Sequence, residues 1–149
     1  MIAKDELVLQ SPAFVNRGKI PAEFTCDGNN QNPQLEIGGI PAKARTLALI
    51  MEDPDAPSGN FVHWVVWDIP PLLKIEKNSI PGTVGKNSDS ENNYIGPCPP
   101  GGTHRYYFRV YALDKYLDLD DAYGKTELEK AMKGHVLAKG ELLGFYSRQ

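Results

Sequence analysis

Glycine and proline recur along the whole chain of 149 residues, 14 of the one and 12 of the other, spread out rather than gathered into a linker. Each breaks regular structure, so long helices are excluded and the chain reads as many short strands joined by turns. Between the breaks lie apolar runs of strand length. TLALIME (residues 46–52) and FVHWVVWDI (residues 61–69) are rich in β-branched and aromatic residues. The Pro/Asp/Gly segment between them makes antiparallel neighbours of the two. HRYYFRVYAL (residues 104–113) alternates two faces, His104/Tyr106/Phe108/Val110/Ala112 and Arg105/Tyr107/Arg109/Tyr111/Leu113. Residues 6–10 alternate weakly and read as a first strand, residues 35–37 as a short extended piece, and residues 136–146 as the strand that closes the sheet. Residues 70–93 read as a polar loop. One helix is predicted, of about eight residues: Thr126 and Glu129 form a capping box, Leu128, Ala131 and Met132 an apolar stripe, and Gly134 suits the C-terminal cap. The expected fold is a single all-β domain over residues 1–149. Its form is a two-sheet antiparallel β-sandwich with one short helix in the C-terminal half.

Charge and cysteine content narrow the function classes. The net charge is −3 (16 basic minus 19 acidic residues), and no basic cluster exceeds a pair. That argues against a nucleic-acid or anionic-membrane partner. Lys4, Asp5 and Glu6 interrupt the N-terminus, so no secretory leader is expected. No apolar run is long enough to span a bilayer, and the expected compartment is the cytoplasm. Cys26 and Cys98 are the two cysteines, and neither belongs to a CxxC pair, which argues against structural zinc. In a reducing compartment both are expected to be free thiols. A disulfide between them would need Cα atoms within about 7 Å.

Four polar residues stand out from their surroundings. His63 interrupts an apolar run, and an unpaired polar group there would cost roughly 1–3 kcal/mol. Asp53 and Asp55 lie just upstream, and His104 opens a strand directly after the Gly/Pro loop YIGPCPPGG (residues 94–102). A metal site could use the two histidines with one or two aspartates, although the spacing matches no metal motif. A hydrolase would need a nucleophile. Ser58 is the nearby hydroxyl, and no GxSxG elbow is present. An anion pocket would take donors from His63, His104, Tyr106 and the Gly96 backbone, with Asp53 or Asp55 orienting an imidazole. The bland alternative is that the aspartates cap turns and the histidines are satisfied core residues. Residue chemistry alone leaves these readings open. His135 is expected to cap or face the helix C-terminus, Arg105 and Arg109 to be ion-paired or solvated, and Trp64 and Trp67 to be core.

Three motifs in order carry a resemblance: DPDAPS (residues 53–58), His63-Trp64 before an apolar strand, and GPCPPGGTHRY (residues 96–106). With PAEFTCDGNNQNPQL, YALD and GHVLAKGELLGFYSR, the chain resembles the phosphatidylethanolamine-binding protein family. That family includes the Raf kinase inhibitor proteins and the plant flowering regulators, and the form here is most similar to its small bacterial and archaeal branch. The resemblance implies a two-sheet sandwich with a pocket for phosphate-like or carboxylate anions. The matching pocket positions are Asp53, Asp55, His63, Gly96, His104 and Tyr106, with Pro57 and Pro99 as wall. It further implies a non-catalytic binding protein without metal or cofactor, a homodimer, and a kinase or protease as partner. The alternative is a serine protease inhibitor acting through an exposed loop at residues 78–93. Only residues 59–62 separate Ser58 from His63, where animal members carry a longer insertion. Pro97 and Cys98 stand where those members have a Ser-Gly pair, and no counterpart of their C-terminal helix is expected.

Overall fold

The computed structural model describes residues 5–148. Residues 1–4, on which part of the reading of the N-terminus rests, and residue 149 lie outside the described residues. The strands are β1 (Asp5–Glu6), β2 (Val8–Gln10), β3 (Gly18–Lys19), β4 (Leu35–Gly38), β5 (Thr46–Asp53), β6 (Phe61–Ile69), β7 (Lys74–Ile75), β8 (Thr83–Val84), β9 (His104–Leu113) and β10 (Val136–Tyr146), and the helix is α1 (Lys125–Met132). Among the described residues the larger sheet runs β1-β10-β9-β5-β6-β8, with β3 also on β10, and the smaller runs β2-β4-β7. All long pairings are antiparallel. Only the two-residue pieces β1 and β3 run parallel to β10.

Two apolar layers hold the sandwich. Between the sheets, Leu9, Leu35, Ile37 and Ile75 meet Leu49, Met51, Trp64, Val66, Phe108 and Leu142. On the far side of the large sheet, Leu128 and Met132 of α1 cover Ala48, Ile50, Val65 and Trp67. β5 is therefore buried at every position, which explains why its sequence reads as a continuous apolar run rather than an alternation. Where Glu52 faces the helix side, Lys125 Nζ, Asn60 Nδ2 and Arg109 Nη1 each donate to it at 2.6 Å. Arg109 is thus ion-paired, as its place on the outer strand face implies.

Four local expectations are corrected. Residues 6–10 are not one strand: the chain leaves the large sheet after Glu6, buries Leu7, and enters the small sheet at Val8. The loop at residues 70–93 contains β7 and β8, too short to carry a period-2 signal. The helix cap lies two residues before the Thr126/Glu129 pattern, where Glu127 accepts from the Gly124 N–H at 3.0 Å. Gly124 is bridged to Lys86, whose carbonyl oxygen would lie 2.8 Å from a Cβ there, so close approach selects glycine over a capping side chain. Gly134 does end the helix in the left-handed region, at φ 83°. Finally, Cys26 and Cys98 are not free thiols but a disulfide, with Cα atoms 5.4 Å apart. His135 closes the helix through its backbone N–H to the Met132 carbonyl, while its ring meets Asp114 at 2.8 Å. Among the described residues no helix is long and apolar enough to cross a membrane.

Candidate functional site

One end of the inter-sheet layer is polar. The alternation of β9 sends His104 and Tyr106 inward in line with Phe108 and Val110. Asp53 closes β5 on the same inward face as Met51 and Leu49. His63 should not join them, because Trp64 next to it already points inward and strand neighbours point to opposite faces. A β-bulge resolves this. The pairing steps from Met51↔Trp64 to Glu52↔Val62 and leaves His63 as the extra residue. The bulge re-aims the imidazole onto the inward face, where its ring lies 5.3 Å from Tyr106 in an edge arrangement. His104 lies stacked with the same phenol, ring centroids 6.3 Å apart.

Each group is held by a named partner. His104 Nδ1 lies 2.7 Å from Asp53 Oδ2, and His63 Nδ1 lies 2.7 Å from the Ile95 carbonyl oxygen. Carboxylate and carbonyl only accept, so both imidazoles donate from Nδ1 and turn Nε2 away from these partners. The second oxygen of Asp53 accepts from the Asp55 N–H at 2.7 Å. Asp55 in turn takes a bidentate Arg105 guanidinium, Nε at 2.9 Å and Nη2 at 2.8 Å, together with the Arg105 backbone N–H. This pairing with Arg105 lowers the Asp55 carboxyl to about 2. Burial pushes the His63 imidazolium below its ordinary value, against the Ile95 contact that favours it. Burial, then the Asp53 charge, raises the Tyr106 phenol above its ordinary value. No buried side-chain N or O atom among the described residues lacks a partner. Among the described residues the Tyr106 hydroxyl makes no hydrogen bond, so part of the remaining 1% exposure of this residue lies at its oxygen.

The geometry sorts the sequence candidates. Asp53, His63, His104 and Tyr106 come together and are buried. Asp55 stands behind them as the anchor of Arg105. Gly96 lies beside the cluster, but its N–H donates to Asn30 Oδ1 at 2.7 Å and is not free for a ligand. Glycine is required there because a Cβ would lie 2.3 Å from the Phe24 carbonyl oxygen. Pro99 is buried and Pro57 is exposed. Sequence reasoning missed Ile95, Asn30 and Tyr146. Ile95 is seized by His63 from both sides, its N–H going to the His63 carbonyl at 3.1 Å. Tyr146 stands opposite His104 in the β9–β10 register. Asn30 adopts φ 56°, a left-handed conformation that asparagine tolerates, and the DGNN run was the available signal. Ser58 is exposed on the turn, and both sulfurs are locked in the disulfide. Among the described residues no group of three or more His, Cys, Asp or Glu is arranged to hold a metal ion.

Comparison with known proteins identifies the fold and the family. The family model for the phosphatidylethanolamine-binding protein matches residues 10–147. A UPF0098 protein of Methanothermobacter thermautotrophicus is 46% identical, over 94% of this chain and 98% of its own length. A relative in Pyrococcus abyssi is 45% identical, over 97% of this chain and 88% of its own. The crystal structure of the Chlamydia trachomatis homologue CT736 superposes with a TM-score of 0.94 at 36% identity, covering 98% of this chain and all of that one. Escherichia coli YbcL shares the fold, with a TM-score of 0.88 at 23% identity and coverage of 97% and 99%. A sandwich closed at one end by His63, His104, Tyr106 and two aspartates, with relatives along its full length, belongs to the phosphatidylethanolamine-binding protein family.

Proposed function

We propose that the protein is a non-catalytic binding protein whose pocket takes a small anion, phosphate-like or carboxylate. The observation that carries this reading is the packing of the His63 and His104 rings against Tyr106, which leaves His63 Nε2, His104 Nε2 and the Tyr106 hydroxyl at one end of the sandwich. All three lack a protein partner among the described residues, and their rings are fixed from behind. Both carboxylates have their oxygens engaged by His104, the Asp55 N–H and Arg105, so their charge is compensated inside the protein. The family name supplies the ligand chemistry, a phosphate ester of the headgroup type. The reading as a binder rather than an enzyme rests on the lack of an activated nucleophile. The cysteines are oxidised, Ser58 is exposed on its turn and among the described residues is hydrogen-bonded to neither imidazole, and Tyr106 holds its proton more tightly than a free phenol. A kinase or protease is the partner class we assign to the liganded protein.

The test is calorimetric titration of orthophosphate and phosphoethanolamine into wild type and His63→Ala. Binding in the first that is lost in the second, with an unchanged circular dichroism spectrum, is the expected result. Absence of heat with every anion in wild type would sink the reading.

A second reading, inhibition of a serine protease by a surface loop, is favoured by Ile80. This side chain is 82% exposed in a segment held by Asn32, which accepts from the Ser79 N–H through Oδ1 and from the Asn78 N–H through its carbonyl. Inhibition that survives His63→Ala and is lost in Ile80→Asp would select it.

A further inference from the structure

Beside the histidine cluster lies an open cavity of about 460 Å³ lined by Asp27, Pro100, Gly101, Tyr146 and Arg148. Its walls belong to the same construction as the anion site. Tyr146 is the cross-strand partner of His104, and the two side chains share a face of the sheet. Pro100 and Gly101 lie on the loop that runs from Gly96 to His104. The Cys26–Cys98 disulfide ties that loop to the segment carrying Asp27.

The cavity holds one cation in a fixed place. Arg148 donates Nε and Nη2 to a single oxygen, Asp27 Oδ1, at 3.2 and 3.0 Å. The other oxygen, Asp27 Oδ2, accepts from the Tyr146 hydroxyl at 2.6 Å. Both oxygens of Asp27 are thereby engaged, while among the described residues Nη1 of Arg148 and the second hydrogen of Nη2 have no partner. Lys19 Nζ adds a second positive charge 5.9 Å from the Tyr146 ring centroid. Arg148 follows Tyr146 by two residues, so their Cα atoms are at most about 7 Å apart. A guanidinium in that position suits planar, two-point recognition of a phosphoryl or carboxylate group.

We infer that Arg148 is the second arm of the anion site and that the preferred ligand carries two or more linked anionic groups. One group sits over His63, His104 and Tyr106, and the next reaches along Tyr146 to Arg148. This inference rests on the anion reading of the histidine cluster and deepens it. A ligand with one anionic group fills only the histidine end.

The experiment titrates orthophosphate, pyrophosphate and tripolyphosphate into wild type, Arg148→Gln, Arg148→Lys and His63→Ala at one fixed ionic strength. Pyrophosphate or tripolyphosphate is expected to bind wild type at least tenfold tighter than orthophosphate. Arg148→Gln should remove that advantage and leave orthophosphate affinity within twofold, and Arg148→Lys should keep part of it. The Arg148 side chain is 48% exposed, so neither substitution disturbs the core, and an unchanged thermal midpoint checks this. His63-dependent orthophosphate binding without any gain for the longer anions would overturn the second arm and spare the first. A gain that persists in Arg148→Gln would do the same. Failure of all three anions to bind wild type would overturn both.

Discussion

At neutral pH burial keeps His63 uncharged, and its one N–H already belongs to Ile95. The atom it turns to the pocket is therefore a lone pair, able to accept from a protonated phosphate oxygen but unable to donate. An anion that draws a donated hydrogen bond from Nε2 must bring a proton into the site. Binding is expected to take up protons and to strengthen as pH falls. Titrations in two buffers of different ionisation enthalpy read the uptake directly, and none between about pH 5.5 and 8 would remove an imidazolium from the site. The same group bears on stability with a definite sign. Its folded value lies below the ordinary 6.5, so its contribution is intact above that pH. Below it the unfolded chain gains a proton that the folded chain resists, and stability falls. Gly96 makes a different prediction. An added Cβ would meet Phe24 O at 2.3 Å and Asn30 Oδ1 at 2.5 Å, so Gly96→Ala should cost about 2–3 kcal/mol in a urea titration. The identities of the pocket residues were readable because a histidine in an apolar strand is conspicuous. The aim of His63 was not, since it depends on a bulge that pairing with β5 creates.

The strands show the same division. β5, β6, β9 and β10 are long enough for composition and alternation to mark them, whereas β7 and β8 are pairs of residues defined only by their neighbours. The helix was visible from its apolar stripe at Leu128 and Met132, while its cap was misplaced because Gly124 is selected by contact with Lys86. Whether the two cysteines pair could not be decided from the sequence. The disulfide brings together residues 72 apart, and spacing along the chain says nothing of that approach. Closing a loop of that length stabilises by about 4 kcal/mol in the chain-entropy description. The double variant Cys26→Ser, Cys98→Ser should lose stability of that order by urea denaturation. It should also bind orthophosphate more weakly, because among the described residues no hydrogen bond fastens residues 98–103 to the body of the protein in its place. Unchanged stability and unchanged affinity would make the bridge incidental to both.

Across the full chain, the sandwich and the family follow from motifs that extend from one end to the other, and the structural match to CT736 covers 98% of the length. Ligand identity has no such long signature. It depends on a few atoms whose protonation and reach are set by the packing around Tyr106 and Tyr146. The disulfide has one more consequence, topological rather than energetic. Cys26 and Cys98 close a covalent ring that encloses Asp53, Asp55, His63, Gly96 and the whole exposed loop around Ile80. A single nick in the backbone between residues 27 and 97 opens the ring without dividing the molecule, and the two fragments part only after reduction. A protease that attacked Ile80 would thus leave a product still joined as one body, with both halves of the histidine pocket attached to it.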